Sequence, residues 1–147
     1  LSVTGPTWGG CLEVLQWVLT AGRFPADPHV LDGAIMLIET SETLPSASEV
    51  GWVLRAMGER GLLAAVDAVL VARPPASSLE DRRDAPARAR FRAEQRDAVV
   101  ETVGRYNPEA VICVGVPFGH TRPQWIVPHG GTMTLDGASR RITASYA

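Results

Sequence analysis

The sequence predicts an α/β domain with a mixed sheet and a C-terminal β-hairpin. Up to residue 116, short apolar runs of strand type alternate with segments of helical periodicity, the pattern of a largely parallel sheet covered by helices. Two strand-like segments then follow one another with only turn residues between them. The 147 residues are 46% hydrophobic and 20% charged, so they suffice for one domain with its own core.

The N-terminal part predicts a strand, a helix and a buried strand. Residues 1–5 alternate between apolar and polar side chains, as a half-buried strand does. Gly9 and Gly10 lead into a helix over residues 10–21, where apolar side chains recur at helical spacing until Gly22 offers a C-terminal stop. The apolar run at residues 34–38 has the brevity of a buried strand and ends at Glu39.

A second helix and a second buried strand follow. Ser46 lies three residues before Glu49, which is the spacing of a capping box. The apolar residues behind it follow the i, i+3, i+4, i+7 pattern of one helix face: Val50, Val53, Leu54 and Met57. Gly61 closes this helix, and residues 66–72 form a strand that ends before Pro74, because proline lacks a donor for the strand ladder.

The remaining segments complete the predicted sheet. Residues 77–86 are polar and flanked by proline, which indicates a surface loop, and the alanine and arginine content of residues 87–105 favours a helix. Residues 110–116 form a third buried strand. Residues 132–135 and 140–146 are short strands joined by the turn-rich residues 136–139.

Composition excludes several classes of function. Fourteen basic against sixteen acidic side chains give a net charge of −2, which disfavours a nucleic acid polymer as partner. Every basic residue is arginine, so lysine-based catalysis is excluded in this segment. Cys11 and Cys113 lie in no CxxC pattern, which predicts neither a disulfide framework nor a metal site and fits a reducing cytoplasm. No apolar run is long enough to span a membrane, and no cofactor motif is present.

Two strand ends carry the residues with catalytic potential. Glu39 follows the apolar run 34–38, and His120 follows the run 110–116 in a glycine-flanked loop, where α/β sheets expose functional groups. We expect the two to meet across neighbouring strands, with the carboxylate orienting the imidazole as a general base. From position alone, a solvated glutamate and a loop histidine remain open for both.

Three segments resemble successive motifs of one family. In residue types and in order, they are similar to motifs of the C-terminal domain of LD-carboxypeptidases and microcin C self-immunity proteins. The segments are residues 5–15, residues 31–42 with Leu37-Ile38-Glu39, and residues 116–121 with Phe118-Gly119-His120, followed by Pro128 to Gly131. The resemblance implies a swivelling β/β/α-type domain. It also implies that residues 1–147 form the C-terminal catalytic domain of a cytoplasmic homodimer, whose N-terminal nucleophile domain lies outside this chain.

The resemblance further implies a Ser-His-Glu triad to which this chain contributes Glu39 and His120. The expected substrates are murein LD-peptides or aminoacyl-nucleotides of the microcin C type, and the isolated chain is expected to be inactive. Thr40 departs from the family, which commonly has an acidic residue there. The candidate substrate-binding residues are Trp8, Gly9, Gly10 and Thr121. Two alternatives stay open: a self-contained cysteine hydrolase that uses Cys11, and a non-catalytic binding relative.

Overall fold

A computed structural model describes residues 1–146 of the chain. Within these residues, one sheet has six strands: β1 (Ser2–Cys11), β2 (Ile35–Glu39), β3 (Ala68–Ala72), β4 (Val111–Val116), β5 (Thr132–Asp136) and β6 (Arg141–Ala144). The helices are α1 (Leu12–Thr20), α2 (Ala47–Glu59), α3 (Leu62–Ala65) and α4 (Ala85–Tyr106), with a 3-10 turn at Pro28–Leu31. None of these helices has the length and apolar character that crossing a bilayer requires.

The strand order is β4-β3-β2-β1-β5-β6. Strands β1 to β4 run parallel, whereas β5 lies antiparallel to β1 and forms an antiparallel hairpin with β6. The predicted α/β fold with a mixed sheet and a C-terminal hairpin is therefore confirmed.

The inner strands β2 and β3 are buried along their whole length, as their unbroken apolar runs predict. Side chains on one sheet face, among them Met36 and Val69, pack with apolar residues of α1, α2 and α4. Side chains on the other face, including Leu37 and Leu70, pack with Met133 of β5 and with its neighbours. The chain therefore has two core layers, one on either side of the sheet.

The polar signals at the helix starts form as the sequence predicts. Ser46 Oγ accepts the Glu49 N–H at 3.2 Å, and Glu49 Oε2 accepts the Ser46 N–H at 2.7 Å, so the capping box is complete. Helix α4 begins two residues before the expected start at 87, because the Asp84 side chain accepts the Ala87 N–H at 2.8 Å and proline is tolerated in the first turn.

Four local features differ from the predictions. Residues 110–116 were predicted as a third buried strand, but β4 is the edge strand of the sheet and most of its residues are half-buried or exposed. Gly9 and Gly10 lie inside β1, at φ 137° and 148°, and α1 begins only at Leu12. A side chain at position 9 would overlap the Leu37 carbonyl oxygen, so glycine lets β1 approach β2 closely. Helix α3 was not predicted, because a single helical turn is too short to show a hydrophobic periodicity. Strand β6 is shorter than residues 140–146, since Arg140 adopts φ 52° and still belongs to the turn.

Candidate active site

The carboxyl ends of the parallel strands bring three chemically active side chains to one edge of the sheet. Cys11 ends β1 and Glu39 ends β2, and the two residues are register partners. His120 lies in the loop after β4. The Cys11 sulfur, one carboxylate oxygen of Glu39 and one ring nitrogen of His120 all lie within 4.8 Å of one another. This clustering follows from the parallel arrangement, because all parallel strands end at the same edge.

The sequence predicts that Glu39 and His120 meet across neighbouring strands. This detail is wrong, because β3 lies between β2 and β4. The loop after β4 instead crosses the end of β3, where the Arg73 N–H donates to the Val116 carbonyl at 2.7 Å. This path carries His120 back over the sheet edge to Glu39.

The contact between Glu39 and His120 is the centre of the site. Glu39 Oε2 accepts one hydrogen bond from His120 Nδ1 at 2.7 Å and another from the His120 backbone N–H at 3.0 Å. The carboxylate is buried, whereas the imidazole is 40% exposed. Because a carboxylate only accepts, Nδ1 must carry a proton, and Nε2 of the neutral ring is left as the basic nitrogen.

Gly119 leaves the space that this contact needs. Its φ is 70°, in the left-handed region, and a Cβ at this position would overlap Glu39 Oε2 and lie 2.7 Å from Glu39 Cδ. A side chain here would therefore push the carboxylate away from His120. The glycine before the histidine is part of the geometry of the site and not merely a flexible joint.

The electrostatic surroundings favour the charged imidazole. The hydrogen bond that His120 donates to Glu39 raises the pKa of His120, burial opposes this increase, and the negative charges of Glu39, Glu42 and Glu13 add to it. Glu42 Oε2 lies 3.8 Å from Nε2. The neutral ring that can accept a proton is consequently present only at a higher pH than for an ordinary histidine.

Cys11 is held as a thiol. Burial raises its pKa to about 11, together with the hydrogen bond that Sγ donates to Glu13 Oε2 at 3.2 Å and the charges of Glu13 and Glu39. A nucleophilic cysteine needs the opposite environment, one that stabilises the thiolate. The structure thus brings Cys11 beside the Glu39–His120 pair but argues against the cysteine-hydrolase alternative.

Glu13, which the sequence analysis did not single out, organises the loop after β2. Its Oε1 accepts the Ser41 N–H at 2.9 Å, the Ser41 hydroxyl at 2.7 Å and the Thr43 hydroxyl at 2.9 Å. Burial alone would raise the pKa of Glu13, but donation from Ser41, its own backbone and Cys11 lowers it, so the carboxylate stays ionised. Its position in the first helical turn after a strand end was the available signal.

The four candidate substrate-binding residues occupy different surroundings. The Trp8 ring packs edge-on against Phe24 at 5.2 Å between centroids, on the helix-covered face of the sheet. Gly9 and Gly10 run beside β2 toward the site, and a Cβ at position 10 would meet no atom within 4 Å. Thr121 is buried and accepts a hydrogen bond from Arg73 Nε at 3.1 Å. Their roles in substrate binding stay predictions.

Comparison with known families gives one match along most of the chain. The model of the LD-carboxypeptidase C-terminal domain matches residues 4–135. No curated protein sequence shows significant similarity to the chain.

Solved structures share the fold at low sequence identity. A MccF-like protein from Streptococcus pneumoniae in complex with AMP is 23% identical, with a TM-score of 0.75 over 99% of this chain and 41% of that protein. The microcin C7 self-immunity protein MccF in complex with glutamyl sulfamoyl guanosine is 18% identical, with a TM-score of 0.73 over 99% and 39%. The muramoyltetrapeptide carboxypeptidase from Oxalobacter formigenes is 20% identical, with a TM-score of 0.69 over 97% and 44%. The chain thus spans about two fifths of these proteins.

Proposed function

Since the chain belongs to the family of LD-carboxypeptidase C-terminal domains, we propose that it supplies the Glu39–His120 half of a Ser-His-Glu triad in a serine-type carboxypeptidase or amidase. The observation that carries this proposal is the 2.7 Å bond between His120 Nδ1 and Glu39 Oε2, which leaves Nε2 as the basic nitrogen of a partly exposed ring. The buried carboxylate and the accessible imidazole have the division of roles that a triad requires.

Each residue has one task in the proposed reaction. His120 Nε2 takes the proton from the serine hydroxyl as its oxygen attacks the scissile carbonyl carbon, and the imidazolium then gives that proton to the leaving amine. Water next attacks the acyl-enzyme ester, again with His120 as the base, which releases the acid and regenerates the serine. Glu39 holds the Nδ1 proton throughout and offsets the positive charge of the imidazolium.

The nucleophile belongs to a second domain in this proposal. The chain spans about two fifths of its structural relatives, and we place the serine and the oxyanion hole in an N-terminal domain of the same protein. A homodimer in a reducing cytoplasm completes the proposal. The two unpaired thiols, Cys11 and Cys113, are compatible with that compartment.

The proposed substrates are of two kinds. One relative is described as a muramoyltetrapeptide carboxypeptidase, and the microcin C7 self-immunity protein MccF is seen with adenosine monophosphate or with aspartyl sulfamoyl adenosine. We therefore propose hydrolysis of either a murein LD-peptide or an aminoacyl-nucleotide of the microcin C type. Both reactions cleave a carbonyl–nitrogen bond, for which the proton relay of His120 suffices.

The experiment compares turnover of both substrates by the complete protein and by this chain alone. In the complete protein, His120→Ala lowers kcat by about three to four powers of ten, and Glu39→Gln lowers it less, because His120 moves the proton while Glu39 orients the ring. The isolated chain is inactive. Cys11→Ser serves as the control and retains turnover. Full activity in His120→Ala, or turnover by the isolated chain that Cys11→Ser abolishes, overturns the proposal.

A further inference from the structure

A cavity of about 460 Å³ lies beside the Glu39–His120 pair, between α4 and the carboxyl ends of β2, β3 and β4. Glu39 and Thr40 line one side of it. Most of the remaining wall is apolar, with Val71 and Ala72 from β3, Val99 from α4 and Val114 from β4 among the lining residues. A ligand in this cavity would therefore lie against aliphatic side chains within reach of the catalytic edge.

Two arginines in the cavity wall have only neutral partners. Arg73 donates from Nε to Thr121 Oγ1 at 3.1 Å and from Nη2 to the Arg122 carbonyl at 2.7 Å. Arg92 donates from Nε to the Pro74 carbonyl at 3.2 Å. Among residues 1–146, no carboxylate forms an ion pair with either guanidinium. Both residues are half-buried, so water rather than a carboxylate solvates their charges.

Some arginines of this chain pair with a carboxylate. Arg83, Arg96 and Arg105 each contact a carboxylate within 2.9 Å, from Asp81, Asp97 and Glu101 respectively. Arg96 also lines the cavity, so one of the three arginines in its wall has an acidic partner, whereas Arg73 and Arg92 have none in the described part of the chain.

The cavity arginines also repel one another. Burial lowers the pKa of Arg92, and the positive charges of Arg73 and of Arg88, one turn earlier on α4, lower it further. Arg88 donates only to the Arg83 carbonyl, at 2.7 Å. Three guanidinium groups therefore lie in one region, and Glu39, the acidic residue of the cavity lining, contacts His120 and none of the three. An anion between them would relieve the repulsion and supply the absent acceptors.

Donor groups remain available for such an anion. Within residues 1–146, three guanidinium nitrogens donate no hydrogen bond: Nη1 and Nη2 of Arg92, and Nη1 of Arg73. All three nitrogens are accessible to solvent in the described part of the chain. The planar fork of a guanidinium fits the two oxygens of a carboxylate, and the aliphatic walls suit an apolar body attached to it.

We propose that this cavity is a binding subsite for a carboxylate carried on an apolar body, held by Arg92 and Arg73. As a subsite of the enzyme's substrate it rests on the proposed function, and it would select substrates with a second carboxylate near the scissile bond. A monoanionic carboxylate fits better than a phosphate, because the aliphatic wall would desolvate a dianion at greater cost.

The test measures binding to the 147-residue chain by heteronuclear NMR titration, with hexanoate as the probe. Hexanamide, its neutral counterpart, and inorganic phosphate are the comparison ligands. We expect hexanoate to shift the signals of cavity residues. Arg92→Gln and Arg73→Gln should each weaken its binding about tenfold or more, the value of one charge-assisted hydrogen bond. Arg105→Gln, on the same helix but outside the cavity, is the matched control and should bind hexanoate like the unaltered chain.

Thermal unfolding establishes that each variant is folded. If the Arg92→Gln variant does not fold, the Arg73→Gln variant decides the test. Three outcomes overturn the proposal: hexanamide binds as tightly as hexanoate, the cavity variants bind hexanoate unchanged, or phosphate binds more tightly than hexanoate through the same arginines. Because this assay needs no nucleophile, its failure is separate from a failure of the proposed catalysis.

Discussion

Replacement of Gly119 by alanine tests the geometry of the site most directly. Two costs combine in this variant. A non-glycine residue at φ 70° costs about 1 kcal/mol. The new methyl group would also overlap Glu39 Oε2 and lie 2.7 Å from Cδ and 2.8 Å from Cβ of the same side chain. Overpacking of this kind costs about 1 to 3 kcal/mol, so we expect a total loss of about 2 to 4 kcal/mol in the free energy of unfolding.

Gly22→Ala is the matched control. Gly22 has nearly the same φ, 67°, and a Cβ there meets no atom within 4 Å, so this variant carries the conformational cost alone. Urea unfolding of both variants separates the two terms. NMR titration of the His120 ring supplies a second readout, since displacement of Glu39 removes the main cause of its raised pKa. The reasoning is refuted if Gly119→Ala is no less stable than Gly22→Ala and keeps the raised His120 pKa.

Two further predictions concern the charges around the site. Glu42→Gln removes a negative charge 3.8 Å from Nε2, so the pKa of His120 falls, and the acid limb of kcat/KM in the complete protein moves to lower pH. An unchanged or higher His120 pKa in an NMR titration would contradict this. Glu13→Gln removes the negative charge beside Cys11 and leaves only a weaker, neutral acceptor, so the thiol pKa falls from about 11 but stays above its ordinary value, because burial remains. The pH dependence of alkylation in a Cys113→Ser background measures this shift, and an unchanged profile would count against it.

Local patterns predicted most of the fold. The apolar runs of β2 and β3 match strands that are buried on both faces, because a central strand of a covered sheet has no polar side. The Ser46–Glu49 spacing placed the start of α2, because the capping box is a contact between residues close in sequence. Asp84 caps α4 without a capping box, since Ala87 stands at the third helical position, and the predicted start of α4 was two residues late.

The candidate site divides in the same way. Glu39 and His120 became candidates because both follow apolar strands, a property that can be read from neighbouring residues, and the family resemblance supplied their predicted roles. Their contact joins positions 81 residues apart and depends on the loop that crosses the end of β3. Glu13 was not identified, although it lies in the first helical turn after a strand end, because its contacts with Ser41, 28 residues away, depend on the tertiary fold.

The sequence by itself determined the elements, the strand ends that bear Glu39 and His120, and the family that the motifs resemble. Only the tertiary structure decided that Gly119 must lack a side chain, that Cys11 is held as a thiol, and that Arg73 and Arg92 share a cavity without a counter-ion. The physical reason is one of range. Periodicity and capping depend on residues a few positions apart, whereas burial, charge and clearance at a site depend on strand order and on loops that bring distant residues together.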